Sequence, residues 1–192
     1  IFDDSNAKIL FVDKELFSVA SEALSIASVS PKIVVINDSF AESQPDIPSG
    51  TTDYESLVES GDPLYDWQMP DDEWSPLSLS YTSGTTGKPK GVVYHHRGSY
   101  LMSMGTVIGW SLPNHPVYLY SVPLFHCNGW GHAWTMAALA GTIICLMSFA
   151  PEKVFSLLDQ HNVTHFGGAP IMLNMLANAP KEIQKTFERE IK

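Results

Sequence analysis

At 192 residues with 44% hydrophobic content, the chain is long enough for one good core and too apolar to be a disordered segment. Its net charge of −10 is uneven: residues 33–87 hold 11 acidic side chains and no Lys or Arg, and the remainder carries 10 acidic against 11 basic groups. That distribution excludes a nucleic-acid surface, which needs clustered Lys and Arg, and two cysteines are too few for a disulfide framework.

The apolar run from Lys8 to Val12 predicts a strand. Leu16, Phe17, Ala20, Ala23, Leu24 and Ala27 then recur at helical spacing. After Pro31, Ile33-Val34-Val35-Ile36 predicts a buried strand. Strand, helix and strand form a unit that belongs in a parallel sheet. Residues 38–51 are a polar loop. Thr52-Asp53-Tyr54-Glu55 has the capping-box pattern and opens a short helix to about Ser60. Residues 61–76, with three prolines, read as a surface excursion.

Leu77-Ser78-Leu79-Ser80-Tyr81 and Gly91-Val92-Val93-Tyr94 read as strands on either side of a polar loop. Tyr100, Leu101, Met104, Val107 and Ile108 mark one helix face. Val117 to Val122 is a strand that delivers Pro123 to His126 to its end. From Cys127 to Ala150 the only ionisable group besides the cysteines is His132, a length that would suit a membrane span. Gly141-Thr142 interrupts it, and a buried helix followed by a buried strand accounts for it better, so no integral membrane protein is expected. Pro151 starts a helix through Val154, Phe155, Leu157 and Leu158. Val163 to Phe166 is a strand, Gly167-Gly168-Ala169-Pro170 a turn, and Ile171 to Asn178 a helix whose Met172 and Met175 read as core. The tail, 181–192, is charged and helix-prone. Strands alternating with helices indicate an α/β domain with a mostly parallel sheet. The loops at 82–91, 123–130 and 167–170 all follow predicted strands, where ligands bind in such folds.

Tyr81-Thr82-Ser83-Gly84-Thr85-Thr86-Gly87-Lys88-Pro89-Lys90-Gly91 carries the strongest chemical signal. Glycines let the backbone approach a ligand, and successive N–H groups form an anion-binding concavity. Ser83, Thr85 and Thr86 add hydroxyl donors, and Lys88 and Lys90 add point charges. This chemistry suits the polyphosphate of a nucleotide. The spacing is not that of a Walker loop, since two residues separate Gly84 from Gly87 and Pro89 follows Lys88. A plain surface linker would not be flanked by apolar strands. Arg97 follows in the same basic run and suits an anion site. The remaining histidines are not a metal set, because no Cys or carboxylate stands at ligand spacing beside them. His95-His96 reads as shaping the loop after the phosphate site.

The run from Tyr81 to Gly91 resembles the phosphate loop of the adenylate-forming (AMP-binding) enzymes: acyl-CoA synthetases, luciferases and peptide-synthetase adenylation domains. Pro123-Leu124-Phe125-His126 is similar to the next core motif of that family. Phe125-His126-Cys127-Asn128-Gly129-Trp130, with Val93-Tyr94-His95-His96-Arg97-Gly98, resembles the acyl-activating subgroup of short- and medium-chain acyl-CoA ligases, such as butyrate-CoA and 3-(methylthio)propionate-CoA ligases.

The resemblance implies that residues 1–192 are part of one adenylation domain, truncated at both ends and without the small C-terminal domain. It implies ATP-dependent activation of a short- or medium-chain carboxylic acid as an acyl-adenylate, then transfer to CoA. An aryl-acid or other carboxylate adenylation enzyme, or a non-catalytic nucleotide-binding module, are the alternatives. Thr82, Ser83, Gly84, Thr85, Thr86 and Gly87 would wrap the β- and γ-phosphates. Lys90 would stabilise the loop or phosphates, and Mg²⁺ would bridge phosphate oxygens. His126 would orient the carboxylate or gate the acyl pocket, and Trp130 would form a pocket wall; the two sit four apart and share one face if the chain turns helical there, and a core histidine and plain packing are the alternative roles. Gly167, Gly168 and Ala169 would line the acyl pocket. The family's adenine-side Glu, ribose-binding Asp and catalytic Lys lie beyond Lys192, so this chain alone is expected to be inactive. A cytoplasmic enzyme is implied, peroxisomal in a eukaryote, and a homodimer is admitted.

Overall fold

In the first of two compact units, residues 1–69, the apolar runs pair as expected. In the computed structural model, which describes residues 1–39, 41, 46, 49–83 and 87–192, β1 (Ile9–Asp13) and β2 (Lys32–Ile36) are parallel, with Val12 paired to Val35. Val34 and Val35 are fully buried. A short helix, α1 (Phe2–Ser5), precedes them and went unread in the sequence. Its Asp3 accepts hydrogen bonds from the backbone N–H of Ser28 (2.7 Å) and Val29 (3.2 Å). The crossover is a 3-10 turn followed by α2 (Phe17–Ser25). Phe17, Ala20, Ala23, Leu24 and Ala27 form its half-buried stripe, whereas Leu16 is exposed. Thr52 does not open the next helix. Thr52–Asp53 is a third parallel strand, β3, and Asp53 caps α3 (Tyr54–Glu59) by accepting from the Ser56 N–H at 2.9 Å.

In the second unit, residues 70–192, β4 (Pro76–Thr82) and β5 (Lys90–His95) form an antiparallel hairpin, not members of a parallel sheet. The connection is too short for a parallel crossover. His95 ends β5 and caps α4 (His96–Gly109), its Nδ1 accepting from the Gly98 N–H at 3.0 Å. The most buried positions of α4 are Ser99 and Ser103; of the expected apolar face, Met104 and Val107 are half-buried, Val107 against the Tyr118 core, while Tyr100, Leu101 and Ile108 are exposed.

The unit is organised around β6 (Val117–Tyr120), the central strand of a parallel sheet with β7 (Thr142–Cys145) on one side and β8 (His165–Phe166) on the other. Alternation along β6 supplies two cores. Leu119 packs with Val154 and Leu158 of α6 (Pro151–Gln160), Val163, and Leu176 of α7 (Pro170–Ala177). Tyr118 and Tyr120 pack on the other face with Leu112 and with Met136 of α5 (His132–Ala138). Proline occupies the first turn of α6 and α7, where a missing N–H costs nothing.

Three expectations are corrected here. β7 is largely exposed rather than buried, and both cysteines are free and exposed. The methionine run of α7 is not core: Met172 borders a cleft, Met175 is exposed and Leu176 is the buried residue. The tail is not helical. Its last residue joins the edge of β8, with Lys192 N–H donating to Thr164 O and Phe166 N–H to Lys192 O, both at 2.9 Å. Arg189 donates to the carbonyls of Leu158 and Val163, and Lys185 pairs with Asp159 at 2.8 Å. Among the described residues no helix is long and apolar enough to cross a membrane.

His132 and His165 are both buried, and burial holds each imidazole below its ordinary value. Groups with a depressed folded pKa stabilise the fold above the unfolded value and lose that contribution as pH falls through the folded one. The denaturant midpoint is therefore expected to fall as pH drops below about 6.5, the unperturbed histidine value. A midpoint constant between pH 7.5 and 5.5 would contradict this. Leu119→Ala, which empties the centre of one core, is expected to cost roughly 2–5 kcal/mol by the same denaturation measurement.

Candidate active site

The hairpin brings the two ends of the polar loop together. Thr82 and Lys90 are direct partners across β4 and β5, so the hydroxyl and the ammonium stem flank the loop's mouth. Ser83, Gly87, Lys88 and Lys90 are exposed, and Gly87 adopts φ 81°, a left-handed conformation suited to glycine. Gly84, Thr85 and Thr86 lie outside the described residues. Neither lysine takes part in the two ion pairs found among the described residues. Arg97 does: it pairs with Glu73 and lies 5.9 Å from the centre of the Trp74 ring.

The second element follows β6. Pro123 O accepts from the His126 N–H at 3.1 Å, and His126 O accepts from the Gly129 N–H at 2.9 Å. Cys127–Gly131 then coils as a 3-10 turn, with φ of 49° at Cys127, 58° at Gly129, 57° at Trp130 and 70° at Gly131. The coil is left-handed, so the expected right-handed face shared by His126 and Trp130 does not form. Tyr120 fixes this turn by donating its hydroxyl to Gly129 O at 3.0 Å. A Cβ on Gly129 would stand 2.1 Å from that hydroxyl oxygen. His126 is exposed and is no core histidine. Tyr94 of β5 stands against Cys127; burial, and then that thiol, raise its hydroxyl above the ordinary tyrosine range. This contact links the phosphate hairpin to the His126 turn.

The third element follows β8. Ser121 Oγ donates to Gly167 O, tying the turn to the end of β6. A Cβ on Gly167 would lie 3.4 Å from Trp110 and from Tyr118 Oη and 3.6 Å from Trp130, so Trp130 and Gly167 are brought together. Gly168 packs on Met172, and Ala169 is the residue before α7.

A cleft of about 490 Å³ opens at the carboxyl ends of β6 and β7. Its lining includes Ser121, Pro123, Leu124, Phe125, Met147 and Met172 and is almost wholly apolar. None of His126, Trp130, Gly167, Gly168 or Ala169 lines it; they sit on the same segments, beside it. Cys145 and Leu146 were missed in the sequence because 142–146 reads as a buried strand, and Met172 because the α7 methionines read as core. The signal that could have found Leu124 and Phe125 is their position between the end of a strand and His126. Among the described residues no group of three metal-ligating side chains gathers.

Gly129→Ala should break the Tyr120 hydrogen bond and strain the turn, whereas Gly105→Ala, at an open helical position, should be neutral or stabilising. Thermal unfolding is expected to show a loss of roughly 2–4 kcal/mol for the first; equal midpoints for the two variants would contradict the turn's geometry.

A sequence model described as AMP-binding enzyme matches residues 1–191. An acetate–CoA ligase from Humulus lupulus is 44% identical over 188 residues, covering 93% of this chain and 33% of that protein. A peroxisomal acetate/butyrate–CoA ligase from Arabidopsis thaliana is 40% identical over 192 residues, covering 95% and 34%. The chain thus spans about a third of the length of these relatives. The structure of a long-chain-fatty-acid–CoA ligase from Archaeoglobus fulgidus superposes with a TM-score of 0.75 over 92% of this chain and 33% of that one, at 20% identity, a likeness of fold.

Proposed function

Because the chain belongs to the AMP-binding enzyme family, we propose that its parent is an ATP-dependent acyl-CoA ligase and that these residues form the phosphate-binding and acyl-binding part of its site. The observation that carries this reading is the hairpin: Thr82 faces Lys90 across the mouth of the loop, and Tyr94 of the same hairpin abuts the turn that bears His126. The exposed imidazole of His126 and the apolar cleft belong to the segment that the hairpin abuts, and in this reading the loop of the same hairpin supplies the anion site.

In this reading the hydroxyls and backbone N–H groups of residues 82–87 hold the β- and γ-phosphates, and Lys90 neutralises charge as pyrophosphate departs. Phosphoryl chemistry of this kind depends on positioning and electrostatic stabilisation. His126 orients the carboxylate for attack on the α-phosphate, and the cleft shields the acyl chain. Trp130, Gly167, Gly168 and Ala169 flank that cleft and fix its shape. Magnesium suits the hydroxyl and phosphate oxygens here, with Thr82 and Ser83 as the protein's neutral oxygen donors. When bound it would neutralise phosphate charge. CoA is the acyl acceptor. The named relatives act on acetate and butyrate, which supports a short aliphatic acid as substrate, and an apolar lining supports aliphatic over polar acids. One relative is peroxisomal by name, in keeping with a cytoplasmic or peroxisomal parent.

ATP-dependent consumption of free CoA by the full-length parent, across acetate, propionate, butyrate, hexanoate, octanoate and benzoate, tests the reading. Activity peaking on one short aliphatic acid is expected. Pyrophosphate release without CoA consumption would move the acceptor elsewhere, and silence in both assays from folded protein would overturn the reading. Lys90→Ala is expected to lower kcat/KM for ATP by about 10²-fold or more. His126→Ala should slow thioester formation while leaving the unfolding midpoint within about 1 kcal/mol of the parent's; unchanged turnover would remove His126 from the chemistry.

A further inference from the structure

His132 opens α5 directly after the left-handed turn. It is 3% exposed, and neither ring nitrogen has a hydrogen-bond partner among the described residues. Three aromatic rings enclose it, with centres at 4.8 Å (Tyr118), 5.2 Å (Trp110) and 6.0 Å (Trp130). Tyr118 Oη is sealed in the same way. Burial raises its pKa and the nearby Gly167 backbone opposes the shift, without reaching hydrogen-bond geometry. Solvent reaches neither the imidazole nitrogens nor this hydroxyl. A buried polar group left unpaired destabilises a fold, and a phenyl ring would fill the same space without that penalty.

The turn above is itself held in an unfavourable conformation. Cys127 and Trp130 adopt positive φ, which L-residues with side chains resist. Trp130 is kept there by its edge contact with His132 and its approach to Gly167. The same segment supplies Pro123, Leu124 and Phe125 to the cleft. We propose that His132 is a positioning residue: as a neutral ring it locks the Trp130 turn against Gly167 and so fixes the acyl cleft, and on protonation it releases both. The acyl role rests on the ligase reading; the lock itself does not.

The surroundings offer nothing to hold the charge. Ionisable groups on the packed elements are the phenols of Tyr118 and Tyr120 on β6, the His165 ring on β8 beside Tyr118, His126 and the Cys127 thiol in the turn with Tyr94 of β5 against it, the Cys145 thiol on β7, His115 beside the end of α5, and His96, Arg97 and Tyr100 near the start of α4. His96 and Tyr100 lie beside Trp134 and Ala138 of α5, and Arg97 is paired with Glu73. Burial is the one cause found for the depressed His132 value. A depressed value means that the locked form holds above the ordinary histidine range and is lost as pH falls through the lowered one.

The test uses the full-length parent and its His132→Phe variant, with His132→Tyr as a second variant should the first not fold. Hydrogen exchange is followed in peptides spanning 126–132, corrected for intrinsic rates, from pH 7.5 to 5.0. Protection in the parent is expected to fall about tenfold or more as pH drops, and to stay level in either variant. The ratio of KM for the acid between low and high pH should likewise be about ten in the parent and near one in the variants, with KM for ATP following neither trend. Equal loss of protection in parent and variants, or none in the parent, would overturn the lock. A pH-sensitive lock with an unmoved KM for the acid would overturn its role in the acyl cleft. A parent that activates no acid would leave the exchange result to decide the lock and would fail the ligase reading instead.

Discussion

The pairing of β6 between β7 and β8 is the constraint on which the second unit depends. Parallel pairing points three carboxyl ends the same way, so the segments after Tyr120, Cys145 and Phe166 emerge together. The strand is buried on both faces. Leu119 anchors the helices α6 and α7 on one side, and Tyr118 and Tyr120 anchor the aromatic layer on the other. The layer does more than fill space, because Tyr120 holds Gly129 and the tips of Tyr118, Trp110 and Trp130 converge on Gly167. Core packing and placement of the candidate site are therefore one set of contacts.

The hairpin solves a different problem. The polyphosphate role proposed for the loop requires free backbone N–H groups, which a regular strand would consume in its ladder. Antiparallel pairing up to Thr82 and Lys90 brings the two ends of the loop together. Glu73 and Trp74 engage Arg97, and His95 caps α4, so the base of the hairpin is fastened by polar contacts rather than by a deep core. Tyr94 then brings the hairpin against Cys127, in the turn that follows the cleft-lining segment.

Much of this was legible in the residues. The β-branched runs announce strands, and the family was legible in the glycines, hydroxyls and lysines of 82–90. The α/β class followed from alternation, and the carboxyl-end placement of the 123–130 and 167–170 segments followed from the class. What was not legible has physical reasons. Hairpin pairing of β4 and β5 depends on a short connection, which alternation does not encode. The left-handed turn at Cys127 and Trp130 is imposed by Tyr120 and the aromatic layer from a distance, against local preference. Ser99 and Ser103 are buried because α4 turns its small polar face inward, with Ser103 bonding back to the Ser99 carbonyl at 2.9 Å. Most of β7 and the methionines of α7 are exposed or half-buried in this chain, so hydrophobicity alone misassigned them to the core.

The proposed ligase function requires a carboxylate oxygen of the acid to attack the α-phosphate of ATP. The most direct measurement is the fate of ¹⁸O from a labelled short-chain acid after turnover by the full-length parent, read by mass spectrometry of the products. One labelled oxygen in AMP, and none in pyrophosphate, is the predicted result. Label in phosphate or pyrophosphate, or CoA ester formed with unlabelled AMP, would contradict the account.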